Sequence, residues 1–468
     1  MGYRACQLVP ATGGALVLKA KPALQYSEGR SKPWSGSKLV NCFAERADGD
    51  KREDFALMAA PGLLEWADVG TGPVRGAHVM AGTLYVVSGT SLYSVSSAGA
   101  ETLIGTIAGS GLVHMADNGA QLCIAAAGVG YILSAGSLTT LADHGISWSV
   151  SDVGFIDSYI LWTRAGTGQF FISGLGDATS YDPSDIATAE GSPDNIVGMI
   201  IDHREVQFFG SETVEIFYNS GAAAFPFERQ GNAFIERGCF DRDSIVKIDN
   251  SVNFMGDDRV VYRLTGYQPI RISTHAIEYQ LRNVSYARGF AYDQEGHKFY
   301  CLDTDNGTFV FDQATGLWHE RKSVDLTGWR VNGAVKAYNM VLLTSGQDGK
   351  IYRPSLDLNT EDGERIEVDI YLPTIEGQRQ RLTMYAFEVM CETGVGNSSI
   401  DDPQIMLRYS DDGGRRWSNE AWRSMGVIGD YRRRAIWRKL GQFRQRQIHL
   451  RVTDPARTFV MSYYADIR

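Results

Sequence analysis

The chain has 468 residues, 51 of them Gly, with 11% aromatic residues and a net charge of −10 at pH 7. It is too long for one ordinary domain and long enough to bury a large core. Gly at roughly 11%, against a usual ~7%, favours short strands joined by tight turns, and the acidic balance excludes a chain built throughout to bind polyanions.

Residues 1–70 lack regular periodicity and carry Pro10, Pro22, Pro33 and Pro61. They read as an extended N-terminal arm laid over the rest. Pro10, Gly13 and Gly14 interrupt any apolar stretch near the start, so a signal peptide is not expected. Cys6 stands where a myristoylation motif wants Ser or Thr. The longest apolar run, Leu122–Leu133, is short of the ~18–20 residues of a membrane span, and a soluble protein without membrane insertion is expected. The six cysteines, Cys6, Cys42, Cys123, Cys239, Cys301 and Cys391, are widely spaced with no C-x-x-C pair. They read as buried free thiols made in a reducing cytoplasm.

From Gly82 onward one pattern recurs seven times: a short apolar strand, a turn rich in Gly, Asp or Ser, and a second strand opening with an aromatic. The repeats begin at Gly82, Ala120, Ser158, Arg204, Asn250, His297 and Asn339, spaced 38, 38, 46, 46, 47 and 42 residues apart. A period near 40–47 residues is that of four-stranded propeller blades. A single such sheet cannot bury both faces, and stacking sheets around an axis solves this while leaving only short edges. The turns carry residues suited to positive φ, such as Gly89, Gly210, Asp257–Asp258 and Asn306–Gly307. Helical periodicity is confined to Pro183–Ala189 and Thr274–Gln280. The fold class is therefore all-β: a β-propeller over residues 71–357, with seven blades by direct count and six if one hairpin belongs to a connection.

After Asp357 the rhythm changes. A polar linker, NTEDG at Asn359–Gly363, precedes alternating strands at Ile366–Leu372, Arg381–Met390, Gln404–Tyr409, Ile448–Val452 and Phe459–Tyr464. Residues 358–468 read as a C-terminal β-sandwich-like domain. Within it, SDDGG RRWS has Ser410, Asp412, Gly414 and Trp417 in the places of an Asp-box, the hairpin motif of sialidases and related propellers. Ser410 and Asp412 can bond backbone amides across the turn, the glycines supply unusual φ angles and Trp417 packs beneath. A sialidase would also need an arginine cluster, a Tyr nucleophile with an acidic partner and a proton-donating acid, and no spacing singles these out. The box is expected to be a structural hairpin.

Other chemistry is absent from the pattern. His319–Ser323 begins like H-E-x-x-H but has Ser323 in place of the second His. Asp303–Thr308 is one residue short of a calcium loop and lacks its terminal Glu. No P-loop, nucleophile elbow or dinucleotide fingerprint occurs, so no catalytic residue, metal site or cofactor is expected.

Between Arg415 and Arg451 there are eleven Arg or Lys against two acids, Glu420 and Asp430. With Tyr431, Trp437 and Phe443 interleaved, this run has three readings: a nucleic-acid surface, a solvated face of alternating strands, or docking to an acidic protein. The candidate docking residues are Arg432, Arg433, Arg434, Arg438, Lys439, Arg444 and Arg446.

The stretch SDDGGRRWSNEAWRSMGVIGDYRRRAIWRKLGQFR resembles the C-terminal segment of tail-hub proteins of short-tailed bacteriophages, the packaged-DNA stabilisation or tail accessory factors. LVNCFAER with APGLLEW, and the segment SPDNIVGM to DRDSI with Glu215, Asn219, Gly221, Pro226-Phe227 and Glu236-Arg237-Gly238, fit as well. The resemblance implies a virion protein assembled in the host cytoplasm, a homo-hexameric ring below the portal and its adaptor ring. Such a ring would plug the channel, stabilise packaged DNA with non-specific contact to it, carry the tail needle and tailspikes, and use no catalytic residues. The competing expectation is a glycan-binding or glycan-cleaving propeller on a phage particle.

Overall fold

Each of the seven repeated hairpins forms the two middle strands of a four-stranded antiparallel unit in the computed structural model, which describes residues 16–20, 22–46, 55–189, 191–377 and 380–468. Cys6 and the stretch around it lie outside the described residues. Five units are separate sheets, at residues 74–106 (blade I), 114–140 (II), 150–188 (III), 196–235 (IV) and 246–271 (V). Blade VI, at 288–321, and blade VII, at 331–355, continue into larger sheets. The first strands of consecutive blades pack side by side, and that of blade VII returns to that of blade I, which closes the ring. The fold class is all-β, a seven-bladed propeller with a β-sandwich.

The repeat is a packing device. Each gap between neighbouring blades encloses its own apolar cluster; between III and IV, for example, Leu161, Phe170 and Ile172 meet Met199, Val206 and Phe208. Near the axis the strands crowd, and small residues let them approach. A Cβ on Gly198 would lie 2.0 Å from Cδ of Arg242. The ring is sealed by a distant strand: Gly62–Asp68 pairs antiparallel with Lys350–Ser355 and supplies the fourth strand of blade VII. The propeller is thus clasped by residues from before its first blade.

The segment expected as an arm is woven into the sheets. Lys38–Val40 lies parallel to Leu317–Arg321 of blade VI and antiparallel to Val368–Tyr371 of the sandwich. One ten-stranded sheet therefore runs from the axis of blade VI into the sandwich. Cys42–Arg46 and Phe55–Ala59 join the second sandwich sheet, beside Phe459–Ile467, Leu382–Cys391 and Ala435–Phe443. Between the two sheets lies a core that includes Phe387, Trp437, Leu407 and Tyr463.

Of the two short helices expected, one does not form and one does. Residues 183–189 are not helical: Ile186–Thr188 is the outer strand of blade III, pairing with Gln169–Phe171, because Ile186 is drawn against the Trp162–Phe171 cluster. Thr274–Gln280 is helical, at His275–Leu281, with Thr274 accepting from the Ile277 amide as its cap. Among the expected turn residues, Gly89 (φ 55°) and Gly307 (φ 135°) have positive φ, Gly210 does not and ends the strand Glu205–Gly210, and in blade V the role falls to Arg259 (φ 66°).

Propeller and sandwich meet at a buried polar cluster. Arg321, with no exposure, donates to Glu361 (3.0 Å) and to the Pro61 carbonyl (3.2 Å), and lies over the ring of Trp329. Glu361 also accepts from Ser323 (2.6 Å) and the Trp329 indole (2.8 Å). Removing one partner of such a pair strands a charge in the interior, so Arg321→Met is expected to cost about 3–5 kcal/mol in urea unfolding. Glu361→Gln, which keeps acceptors for Trp329 and Arg321, should cost less. A loss below ~1 kcal/mol for Arg321→Met, the range of an exposed pair, would contradict this role.

Candidate functional site

The Asp-box closes the connection between Gln404–Ser410 and Ala421–Ser424 of the sandwich. Ser410 Oγ donates to Asp412 Oδ1 (2.8 Å) and accepts from the Gly414 amide (2.8 Å). Asp412 Oδ1 also accepts from the amides of Arg415 and Arg416 (2.9 Å each), which holds its carboxyl below the usual range. Gly413 (φ 75°) and Gly414 (φ 84°) take left-handed conformations. Trp417 packs edge-on to Tyr371 and His449, with ring centroids 5.8 and 5.7 Å away. All four motif residues are engaged within the turn and its floor.

That floor is an ion network. His449, with no exposure, donates from Nε2 to Asp369 Oδ1 (2.6 Å), and its Nδ1 accepts from Arg408 Nε (2.8 Å). Arg451 clamps Asp369 through Nε (2.6 Å) and Nη2 (2.9 Å). Burial alone would raise the Asp369 carboxyl, but the bonds from His449 and Arg451 outweigh it and bring it down to about 2. Burial is also the largest influence on His449 and lowers it despite the Asp369 contact, so the imidazole is neutral and fills one gap between Asp369 and Arg408.

The basic run divides into two populations. Arg432, Arg433, Arg434 and Arg438 converge on one concavity of about 500 Å³, together with Arg423, Asp430 and Ile436. Arg434 is tied to Glu388 by two bonds, of 2.7 and 2.6 Å. Among the described residues no carboxylate pairs with Arg423, Arg432, Arg433 or Arg438. Arg423 is instead braced by the Ile436 and Trp422 carbonyls. Lys439 and Arg444 are exposed further along the same strand and hairpin, outside the concavity.

Arg446 departs from the docking expectation. It is 1% exposed, forks onto Asp411 with two 2.7 Å bonds, donates to the Leu440 carbonyl and packs under Tyr409 and Phe443. The backbone bulge at Lys439–Leu440 turns the strand and exposes that carbonyl to it. Its charge is spent inside the fold.

Sequence reasoning named Tyr431 within the basic run but passed over Val427 and Ile428 beside it. Val427, Ile428 and Tyr431 are 43%, 59% and 75% exposed on the loop that carries Asp430 and Arg432. Their signal was present in GVIGDYRRR as apolar residues without strand alternation, between two strands. Large apolar and Arg side chains together are the composition of protein-docking centres. Elsewhere among the described residues no group of three or more His, Cys, Asp or Glu is placed to hold a metal ion, and no helix is long and apolar enough to cross a membrane.

Comparison with known proteins meets this geometry in both parts. Residues 27–360 match the family model described as bacteriophage P22 Gp10, beta-propeller, and residues 367–468 match bacteriophage P22 Gp10, beta-sandwich. The chain belongs to the P22 Gp10 family. Its curated relatives include the tail hub protein gp10 of Salmonella phage P22, 22% identical over 419 residues, covering 83% of this chain and 86% of the relative. Similar solved structures include BamB from Moraxella catarrhalis (11% identity, TM-score 0.39, 68% of this chain and 97% of BamB). Another is the Cps50 (Swd1) β-propeller domain of Myceliophteria thermophila (8% identity, TM-score 0.40, 63% and 99%).

In this member of the P22 Gp10 family the network under the Asp-box makes the sandwich acid-sensitive. Asp369 is depressed from an unfolded value of ~3.9, so its contribution is present above ~4 and lost as pH falls toward 2. His449 is neutral when folded and readily protonated at ~6.5 when unfolded, so stability also declines once pH drops below ~6.5. Urea midpoints at pH 7, 5 and 3 should fall progressively, and His449→Gln should reduce the loss between pH 7 and 5 while leaving that below pH 4. An unchanged first step would remove His449 from the account.

Proposed function

We propose that this structural, non-enzymatic tail-hub protein of a phage virion closes the portal–adaptor channel as a hexameric ring, stabilises the packaged DNA and seats the tail needle and tailspikes. Membership of the P22 Gp10 family across both parts of the chain supports the hub role. The docking assignment is carried by one observation, the concavity where Arg423, Arg432, Arg433 and Arg438 stand without carboxylate partners beside exposed Tyr431 and Ile428. Guanidinium groups in that state are matched by carboxylates of an acidic protein, which they bind through two parallel hydrogen bonds. The apolar neighbours favour a folded partner over a phosphate backbone. On this reading the face grips the adaptor ring, and DNA contact in the channel is non-specific.

Mass photometry of the full chain with a portal–adaptor complex should show six copies added at its narrow end. The charge-reversal set Arg432→Glu, Arg433→Glu and Arg438→Glu should weaken that binding by about 100-fold, the scale of two or three docking hot spots, with an unchanged melting temperature. Arg446→Glu is expected to unfold the sandwich instead. Wild-type-like binding by the triple variant would overturn the docking assignment, and absence of any association would overturn the hub reading.

A further inference from the structure

The Asp-box carries a load that its own turn does not explain. Gly413 faces Pro33 so closely that a Cβ there would lie 2.4 Å from Pro33 Cγ. The loop around Pro33, residues 27–37, is braced from every side. Ser27 and Ser37 pair through their amide and carbonyl (2.8 Å) and through their hydroxyls (2.5 Å). The Trp34 and Ser35 amides both donate to the Ser31 carbonyl (3.1 and 2.9 Å), and Gln447 Nε2 donates to the Gly36 carbonyl (2.6 Å). Gln280 of the propeller helix donates to the Glu28 carbonyl (3.0 Å), and Lys32 pairs with Glu28 (2.9 Å). At the apex of this rigid loop Trp34 is 89% exposed, the most exposed large apolar side chain among the described residues.

Holding the largest apolar side chain in water on a fixed mount is costly unless something covers it. Its surroundings are basic: Arg30 lies on the same loop, and Arg415 and Arg416 are exposed on the Asp-box hairpin against which Pro33 rests. The complementary surface exists elsewhere on the same chain. A cavity of about 330 Å³ is walled by Phe43, Met58, Leu356, Phe459 and the polar Gln294, and rimmed by Glu45 and exposed Glu295. The cationic groups at its edge are already occupied, Arg457 by Glu392 (3.3 Å) and His297 by Asp312 (2.9 Å).

We propose that Trp34 is a docking knob for a second copy of this chain, seated in the neighbour's Phe43–Met58–Phe459 cavity with Arg30, Arg415 and Arg416 facing Glu45 and Glu295. The occupant is argued from charge: a Trp in a basic collar fits a mixed cavity with Met58 and Phe459 in its wall and Glu45 and Glu295 at its rim, and this chain carries both. The contact joins two different surfaces, so it propagates head to tail and generates a ring if the rotation closes. The inference rests on the self-assembly in the proposed function and concerns a surface separate from the arginine concavity.

The test uses the full chain. Trp34→Ala should weaken self-association by about thirtyfold, the loss typical of an interfacial Trp hot spot, read by sedimentation velocity with an unchanged melting temperature. Arg415→Glu with Arg416→Glu, and separately Glu45→Lys with Glu295→Lys, should each weaken it. Mixing the two charge variants should restore association with the copies alternating, because each collar then meets a rim of opposite charge on the other variant. Mixing Trp34→Cys with Glu295→Cys under mild oxidation should yield a cross-linked heterodimer, since the cysteines among the described residues are buried. Wild-type association by Trp34→Ala, or failure of both mixtures, overturns the inference. If the wild type remains monomeric alone, the same variants are scored for six-copy closure of the portal–adaptor complex. Closure unaffected by Trp34→Ala sinks the knob and leaves the hub reading standing, whereas no closure by the wild type sinks both.

Discussion

Arg321, a guanidinium with no exposure to water, draws together parts of the chain far apart in sequence through Nη2, which makes both of its hydrogen bonds. Its carboxylate, Glu361, comes from the linker; its carbonyl acceptor, Pro61, precedes the propeller; and the aromatic face beneath it, Trp329, lies between blades VI and VII. An unpaired buried ion costs several kcal/mol, so these elements cannot shift independently. Asn41 adds a second tie across the same seam. Its side chain accepts from the Lys322 amide (2.9 Å) and donates to the carbonyls of Lys322 (2.8 Å) and Glu367 (3.0 Å). Backbone pairing through Lys38–Val40 makes the seam a continuous sheet. Two domains tied in all three ways cannot shift without breaking buried bonds.

The propeller was legible because its signal lies where burial is greatest. The middle strands of each blade are covered on both faces, so Val86–Val87, Cys123–Ile124 and Phe208–Phe209 read as apolar runs that repeat. The innermost strands did not read as strands, since Gly76, Gly198 and Gly333 interrupt them where the blades crowd near the axis. The turns between first and second strands repeat in conformation but not in residue type. Positive φ at both central positions occurs at Ala81–Gly82, Asp157–Ser158, His203–Arg204, Asp249–Asn250, Glu295–Gly296 and Tyr338–Asn339. Backbone geometry is conserved around the ring by hydrogen bonding that tolerates several side chains, so a search on residue identity sees only part of it.

The sandwich was harder to read for a different reason. Its strands come from both ends of the chain, and the N-terminal contributions, Lys38–Val40 and Cys42–Arg46, are short and interrupted by Asn41 at φ 55°. Strands of three and five residues are too short to show a period, and only Cys42–Arg46 has a partner nearby in sequence, Phe55–Ala59. The basic run shows the same gap between pattern and position. Eleven cations in one segment suggested a single surface, yet the fold consumes Arg446 with Asp411, Arg451 with Asp369 and Arg434 with Glu388. Charge counted along the sequence cannot separate a guanidinium that supports a turn from one that faces a partner, because the carboxylates that decide it lie up to 82 residues away.

What remains outward-facing is arranged with economy. Strands Gln404–Ser410 and Ala421–Ser424 are antiparallel neighbours, so the Asp-box and its mounted loop lie at one end of the sandwich and the arginine concavity at the other. Opposite ends of a rigid block are the places from which two different neighbours can be held without interfering. A short hairpin motif found in sugar-cleaving propellers serves here as a mechanical part. Its carboxylate points into its own turn amides, its Trp roofs a neutral His, and its glycine leaves room for Pro33. The chemistry of the box is used up in folding. Its consequence for function lies in what it holds still, and a hub that must keep several partners in register depends on that kind of stiffness rather than on a reactive group.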